Sequence, residues 1–380
     1  MAVVKVVHLI TGLQGGGAET MLARLLGRMD RTGFQNTVIS LLGEGVIGKR
    51  LLDDGIPVHH LSGSQGGGKA SWVFKLAGLL RALRPDLIQT WMYHADLFGS
   101  LGSRVLPDVP LIWGIHNSNL DPASSRLSTR LIVKGLARLS GWIPDRIVSC
   151  SEVARDLHVA LGYPQEKMVV IPNGFDVGAF APDPQARLSL RQELGLSGDA
   201  LLIGRIGRAH PQKDNANFLK AALLVVRRYP QVHFLLCGDG LTRTNPEVGG
   251  LVSLHGLENR CHLLGRREDL PRVNAALDIA CSSSAFGEAF PLVLGEAMAC
   301  GVPCVTTDVG DSAALVRETG LVVPPRDEVK LSEALISLIE QGPEGRAKLG
   351  WEARERIKSH YSLPVVVSRY EKLYRERVGG

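Results

Sequence analysis

Residues 286–301 read Phe286-Gly287-Glu288-Ala289-Phe290-Pro291-Leu292-Val293-Leu294-Gly295-Glu296-Ala297-Met298-Ala299-Cys300-Gly301. Proline suits the first turn of a helix, where its missing N–H costs nothing. Glycine suits the position just past a helix end. The spacing therefore predicts Glu288 on the loop entering a helix and Glu296 inside it. The free N–H groups and positive dipole end of such a helix favour a phosphate or another anion. A carboxylate on each side can accept hydrogen bonds from sugar hydroxyls. Hydroxyls at both ends and phosphates in the middle describe a nucleotide sugar.

A chain of 380 residues exceeds what one core usually serves, so two domains are expected. At 45% hydrophobic and 21% charged residues it has the composition of an ordinary globular protein. No apolar run approaches the ~20 residues of a membrane-spanning helix. The opening segment, 1–10, reads as a buried strand rather than a signal peptide. Cys150, Cys237, Cys261, Cys281, Cys300 and Cys304 form no CxxC pair, which predicts reduced, buried thiols and a cytoplasmic protein. The net charge of +5 lies mostly in residues 1–180. It is too small to indicate a nucleic-acid partner, but it is compatible with a membrane surface.

Strand-like and helical runs alternate along the chain. Strands are expected at 3–11, 36–42, 58–61, 87–90, 111–116 and 146–151, with helices at 18–29 and 72–83. A second series runs through 201–207, 215–228 (helical), 232–237, 262–264, 279–282 and 302–306. Such alternation implies crossover units and parallel sheets. The Pro/Gly-rich stretch 171–184 between the series suits a linker. The fold class is α/β, with two Rossmann-like domains, 1–180 and 181–361.

Three further segments bear on chemistry. Thr11-Gly12-Leu13-Gln14-Gly15-Gly16-Gly17 leaves a strand and enters a helix, so its backbone can approach a phosphate closely, or it is simply a tight turn. It is neither GxGxxG nor a Walker sequence. Arg205-Ile206-Gly207-Arg208-Ala209-His210-Pro211-Gln212-Lys213-Asp214 follows a strand and precedes a helix that Asp214 can cap. Its cations, Arg208 and Lys213, can neutralise a diphosphate and stabilise it as a leaving group, or form a solvated basic loop. His116 ends an apolar strand, where open α/β sheets bind ligands, although a lone histidine is often structural. His8 and His94 read as core or surface residues. No Asp-x-Asp, metal-ligand cluster or Gly-x-Ser-x-Gly is present, so no metal site and no serine hydrolase is expected.

The stretch 122–144 contains no acidic residue and carries Arg126, Arg130, Lys134 and Arg138 at intervals of four. These cations line one helix face. Leu127, Leu131, Leu139 and Trp142 give an adjacent apolar side. Two readings follow: a core-packed helix with a solvated basic face, or a helix lying on an anionic membrane.

Taken in order, the glycine-rich first loop, Ile171-Pro172-Asn173-Gly174-Phe175-Asp176, Arg208-x4-Lys213, Gly238-Asp239-Gly240, Glu288-x7-Glu296 and the segment 319–325 resemble the retaining glycosyltransferases of family four. The resemblance covers essentially the whole chain. It implies a GT-B fold, two Rossmann-like domains with parallel sheets facing a central cleft. The nucleotide sugar would be held mainly by the C-terminal domain and the acceptor by the N-terminal one. The last helix, within 362–380, would pack back on the first domain. Arg208 and Lys213 would bind the donor diphosphate, Glu288 would face the transferred sugar, and Glu296 the ribose hydroxyls. Backbone N–H groups near Phe290, Leu292 and Val293 would meet sugar and phosphate. Gly265 and Arg266 would lie beside the base. Gly15, Gly16 and Gly17 would approach phosphate or acceptor, and His116 would sit over the sugar. The family retains anomeric configuration without a metal or other cofactor, the departing phosphate taking the acceptor proton. Asp308-Val309-Gly310-Asp311-Ser312 departs from the usual Gly-Gly-x-x-Glu and resembles a subset that acts in surface-polysaccharide assembly.

The expectation is thus a cytoplasmic or membrane-peripheral transferase. Its donor would be a UDP-sugar, with UDP-N-acetylhexosamine preferred, and its acceptor a lipid-linked saccharide of envelope polysaccharide or lipopolysaccharide synthesis. The rivals are a nucleotide-sugar epimerase of similar architecture and a non-catalytic nucleotide-sugar-binding protein.

Overall fold

A computed structural model describes residues 2–62, 69–120 and 125–379. The chain divides into two compact units, residues 1–174 with 363–380, and residues 175–362.

The first unit is built on a seven-stranded sheet: β1 (Val4–Ile10), β2 (Phe34–Ser40), β3 (Val58–His60), β4 (Leu87–Trp91), β5 (Leu111–Ile115), β6 (Arg146–Ser149) and β7 (Met168–Val170). The order is β3-β2-β1-β4-β5-β6-β7 and the pairings are parallel. β4 and β5 are buried along their length, as parallel strands covered on both faces must be. The helix Leu363–Val378 completes this unit, adding Leu363, Val366, Val367, Tyr370, Leu373 and Tyr374 to the core around Val6, Leu22 and Phe34.

The second unit holds a six-stranded sheet: β8 (Leu202–Ile206), β9 (His233–Cys237), β10 (Cys261–Leu263), β11 (Ile279–Ser282), β12 (Cys304–Thr307) and β13 (Gly320–Val323). Its order is β10-β9-β8-β11-β12-β13, again parallel. Strand order reverses between β1 and β4 in one unit and between β8 and β11 in the other. In open parallel sheets the loops leaving such a pair part company and open a crevice at the carboxyl ends.

The stretch expected to be a linker is instead packed. Ile171 and Asn173 are buried in the first unit, and Phe175, wholly buried, belongs to the second. The N–H of Phe175 donates to the Tyr361 carbonyl at 2.8 Å, and Phe175 bridges to Ser362. A large aromatic ring at this point anchors the chain in the second core, so the crossing falls at 174/175 rather than near 180. The helix after it starts at Pro184, capped by the Asp183 carboxylate.

The basic helix spans Leu127–Leu139, and residues 122–124 of the stretch lie outside the described residues. Its packed side is Val133 and Leu136, not the leucines expected to face a core. Leu127 is 66% exposed, Leu131 60% and Trp142 84%. Leu127, Leu131, Lys134 and Arg138 follow i+4, i+3 and i+4 spacing, so they share the outward face. Arg126 lies before the first turn as the cap residue. Among the described residues no helix is long and apolar enough to cross a membrane. All six cysteines are free and buried.

Candidate active site

The loops leaving β8 and β11 flank the reversal in the second sheet. After β8 the chain turns through Gly207 and Arg208, makes one short turn at Pro211–Lys213, and enters the helix Asn215–Arg228. Asp214 caps that helix, its carboxylate accepting the Asn217 N–H at 3.1 Å. After β11 the chain runs through Ser283 to Phe290 and enters the helix Leu292–Ala299. Pro291 is the residue before the first turn rather than in it, and no side chain caps this end. The leading N–H groups of Leu292 and Val293 therefore face outward with the dipole behind them. Gly301, at φ 74°, closes the segment as its sequence position requires.

The two loops are tied together. The Lys213 ammonium forms a salt bridge with Glu288, and Ser284 Oγ donates to the same carboxylate oxygen at 2.6 Å. Gln212 Nε2 donates to the Gly287 carbonyl at 2.9 Å, and the Gln212 carbonyl accepts the Ala285 N–H at 2.8 Å. Glu288 and Glu296 are both buried, at 7% and 5% exposure. Arg208 is exposed. Burial lowers the pKa of His210, and the charges of Arg208 and Lys213 add to that. The two predicted cations therefore share one neighbourhood.

Packing explains the precision of this corner. Phe290 stacks on Phe175, with ring centroids 6.0 Å apart at 29°. Phe175 also lies against Gly295, where an added Cβ would run into the ring. The Asp308–Ser312 segment supports the loop from another side. Gly310, at φ 60°, sits where a Cβ would collide with the Glu288 carbonyl, and the Asp311 N–H donates to the Ala289 carbonyl at 3.1 Å. Gly265 follows β10 at φ 63° and its carbonyl accepts the Gly238 N–H at 2.8 Å. Its neighbour Arg266 is exposed and pairs with Glu268 at 3.4 Å.

In the first unit, Gly15, Gly16 and Gly17 are exposed at the start of the helix Gly17–Arg28, and Gly15 takes φ 121°. His116 follows β5, and both ring nitrogens are buried without a hydrogen-bond partner. Burial lowers its pKa to about 4, against a smaller opposing pull from Asn173. Its ring stacks on Trp91 at the end of β4. Among the described residues no group of three or more His, Cys, Asp or Glu side chains is placed to hold a metal ion.

Sequence reasoning brings out Lys213 and Glu288 but misses Gln212, Ser284 and Trp91. Gln212 and Ser284 are short polar residues beside the motif, whose contacts depend on two loops meeting. Trp91 has one signal, an indole closing an apolar strand next to the sheet reversal.

Two parallel-sheet Rossmann-like units, each with a strand-order reversal, are the architecture of the GT-B glycosyltransferase class. The sequence matches the family described as Glycosyltransferase Family 4 over residues 15–178 and that described as Glycosyl transferases group 1 over residues 200–341, and the chain belongs to the family-four glycosyltransferases. It is 23% identical over 311 residues to the UDP-Gal:alpha-D-GlcNAc-diphosphoundecaprenol alpha-1,3-galactosyltransferase of Escherichia coli, covering 80% of this chain and 79% of that one. It is 27% identical to the putative glycosyltransferase EpsF of Bacillus subtilis (strain 168), covering 93% and 90%. In fold it matches Anabaena HepE, solved in complex with UDP, with a TM-score of 0.86 at 24% identity, covering 98% of this chain and 100% of that one. HepE has also been solved with UDP-glucose.

Proposed function

We propose that this glycosyltransferase moves a sugar, with retention of anomeric configuration, from a UDP-sugar to a lipid-linked saccharide of envelope polysaccharide synthesis. UDP-N-acetylhexosamine is the preferred donor. The observation that carries the reading is the corner where the Lys213–Glu288 pair meets the uncapped start of the helix Leu292–Ala299. A diphosphate would find an ammonium, the Arg208 guanidinium and open N–H groups on one side of it. The transferred sugar would find the Glu288 carboxylate, and the ribose Glu296. Phe290 would shape the sugar pocket, and the Gly265-Arg266 turn would border the base. Gly15, Gly16 and Gly17 and His116 are the substrate-facing elements of the first unit.

The chemistry needs no resident cofactor in this reading. As the sugar–phosphate bond breaks, negative charge grows on the diphosphate, and fixed cations and backbone N–H groups stabilise it without reorganising. Positioning of acceptor and donor supplies the rest. The E. coli relative is named for UDP-Gal, and HepE, which shares the fold, was solved in complex with UDP; both support the choice of nucleotide. The diphosphoundecaprenol acceptor of the E. coli relative supports a lipid-linked saccharide.

An acceptor of that kind lies at a bilayer, and the helix Leu127–Leu139 has the chemistry to meet one. Exposed leucines and Trp142 can enter the headgroup boundary while Lys134 and Arg138 meet anionic lipid. The deciding experiment screens UDP-, GDP- and ADP-sugars with and without a polyprenyl-diphosphate saccharide, before and after chelation. Acceptor-dependent transfer from a UDP-sugar, unchanged by chelator, is the expected result. Product formed without acceptor would indicate an epimerase, and tight nucleotide binding with no turnover a binding protein.

A further inference from the structure

β8 is buried along all five residues, yet its fourth is Arg205, 1% exposed. A buried guanidinium needs a reason, because desolvating a charge is costly unless it is paired. Arg191, equally buried in the same unit, has one: its Nη2 meets the Asp278 carboxylate at 2.6 Å. Arg205 has no such ion pair among the described residues. Its Nη2 donates to the Lys213 carbonyl at 3.0 Å, while Nη1 is buried with no hydrogen-bond partner. Ser283 Oγ donates to the same carbonyl at 2.9 Å. The backbone of Lys213 is thus pinned by two donors, and its side chain alone is left to move. Desolvation lowers the Arg205 pKa to about 10, with Cys281, Glu288 and Asp214 the nearby groups that favour its charge, so it is a cation at neutral pH.

This arrangement bears on an exchange of partners that the proposed donor site requires. The buried Glu288 carboxylate is met by Lys213 and Ser284. A diphosphate competes for the same ammonium. If Lys213 turned to it, Glu288 would lose its ion pair with that ammonium, and breaking a buried pair is strongly unfavourable. We propose that Arg205 is a positioning residue for donor binding, holding the Lys213 backbone in place and taking over as counter-charge to Glu288 when the Lys213 side chain turns to the diphosphate. The inference rests on Lys213 being a diphosphate ligand. The vacant Nη1 donor is what the takeover uses, and no atom of the diphosphate need touch Arg205.

The test is calorimetric binding of UDP to the full chain, with no sugar and no acceptor, with GDP and ADP run alongside. Arg205→Met should weaken binding of the preferred nucleotide by about tenfold or more, the size expected for a buried counter-charge. Arg205→Lys, which keeps the charge, should recover part of the loss. The decisive variant is Arg205→Met combined with Glu288→Gln. With no carboxylate to hold Lys213, its affinity should return to that of Glu288→Gln alone. Should Arg205→Met fail to fold, the same cycle is run with Arg205→Lys, whose smaller loss should likewise vanish when combined with Glu288→Gln. Wild-type affinity in Arg205→Met, or a double variant no better than the single, would overturn the inference and leave the diphosphate site standing. A wild-type chain that binds none of the three nucleotides would instead overturn the donor-site reading on which the inference depends.

Discussion

The indole of Trp91 lies nearly flat against the imidazole of His116, with ring centroids 4.8 Å apart and 16° between the planes. Trp91 is itself held. Its Nε1–H donates to His8 Nδ1 at 3.3 Å, the other His8 nitrogen meets Asn36 Oδ1 at 3.0 Å, and Tyr370 stacks on Trp91 at 6.2 Å. This chain of contacts runs from the last helix through β4 to the end of β5. Trp91→Ala frees the His116 ring, which is proposed above to face substrate, and misplacing such a group costs up to about a hundredfold in rate. Trp91→Phe keeps a stacking face and should retain most activity. Steady-state kinetics beside a melting curve check this. Equal losses in both variants would show that the hydrogen bond to His8, not the stack, matters.

Lys213→Ala removes the cation proposed to stabilise the leaving diphosphate. Transfer should fall by at least about a hundredfold, the scale seen when one preorganised electrostatic group is deleted. Circular dichroism should show an intact fold. Turnover at the wild-type rate would end the diphosphate assignment.

Acid and alkali should act on the first unit through different groups. Burial holds His8, His116 and His158 at pKa values of about 4, against 6.5 in the open chain. Between those values the unfolded chain binds more protons, so these histidines cost stability as pH falls from 6.5 towards 4. Burial raises Asp96 from 3.8 to about 8, with the Thr90 hydroxyl donating to it at 2.6 Å. Here the folded chain binds more protons, and stability is lost as pH rises from 3.8 through 8. Asp96→Asn removes the second effect alone. The difference in Tm between variant and wild type should grow in the variant's favour from about pH 5 to about pH 8. A constant difference would contradict the assignment.

Replacing Arg130 and Lys134 with glutamate should weaken flotation with anionic vesicles, each reversal losing roughly 1–2 kcal/mol of surface attraction. Trp142→Ser should weaken it further at high salt, where only the apolar contribution survives. Neutral vesicles serve as the control. Unchanged partitioning in all variants would return this face to the solvent.

Gly295→Ala drives a methyl group into the Phe175 ring. Overpacking of this kind costs about 1–3 kcal/mol. Because the same ring supports Phe290, nucleotide affinity should fall together with Tm. The paired variant Gly295→Ala with Phe175→Leu should regain part of both.

Much of the fold is legible because parallel strands leave continuous apolar runs between helical segments. The helix Asn215–Arg228 and strand β11 have the bounds that the pattern predicts. Of the four edge strands, β3 and β10 are legible but β7 and β13 are not: these are short and only partly buried, so three or four residues carry no decisive pattern. Lys213 and Glu288 can be read from the chain because each sits in a loop between a strand and a helix, beside a turn signal. Arg205 cannot, since a cation in a strand gives no sign of whether it points to water or to a core. The basic helix misleads for a related reason. Its leucines fit an amphipathic face, but Val133 and Leu136 are the ones the unit covers.

Phe175 and Ser362 are bridged neighbours at the two ends of the second unit, and the first unit's core is finished only by residues 363–378. Along the chain the second unit is finished at residue 362, whereas the first still lacks its last helix at that point. Leu22, Phe34 and Trp91 then face an open groove until Tyr370 and Tyr374 arrive. The first unit, although its sheet is made first, therefore cannot close its core before the chain of the second has been made.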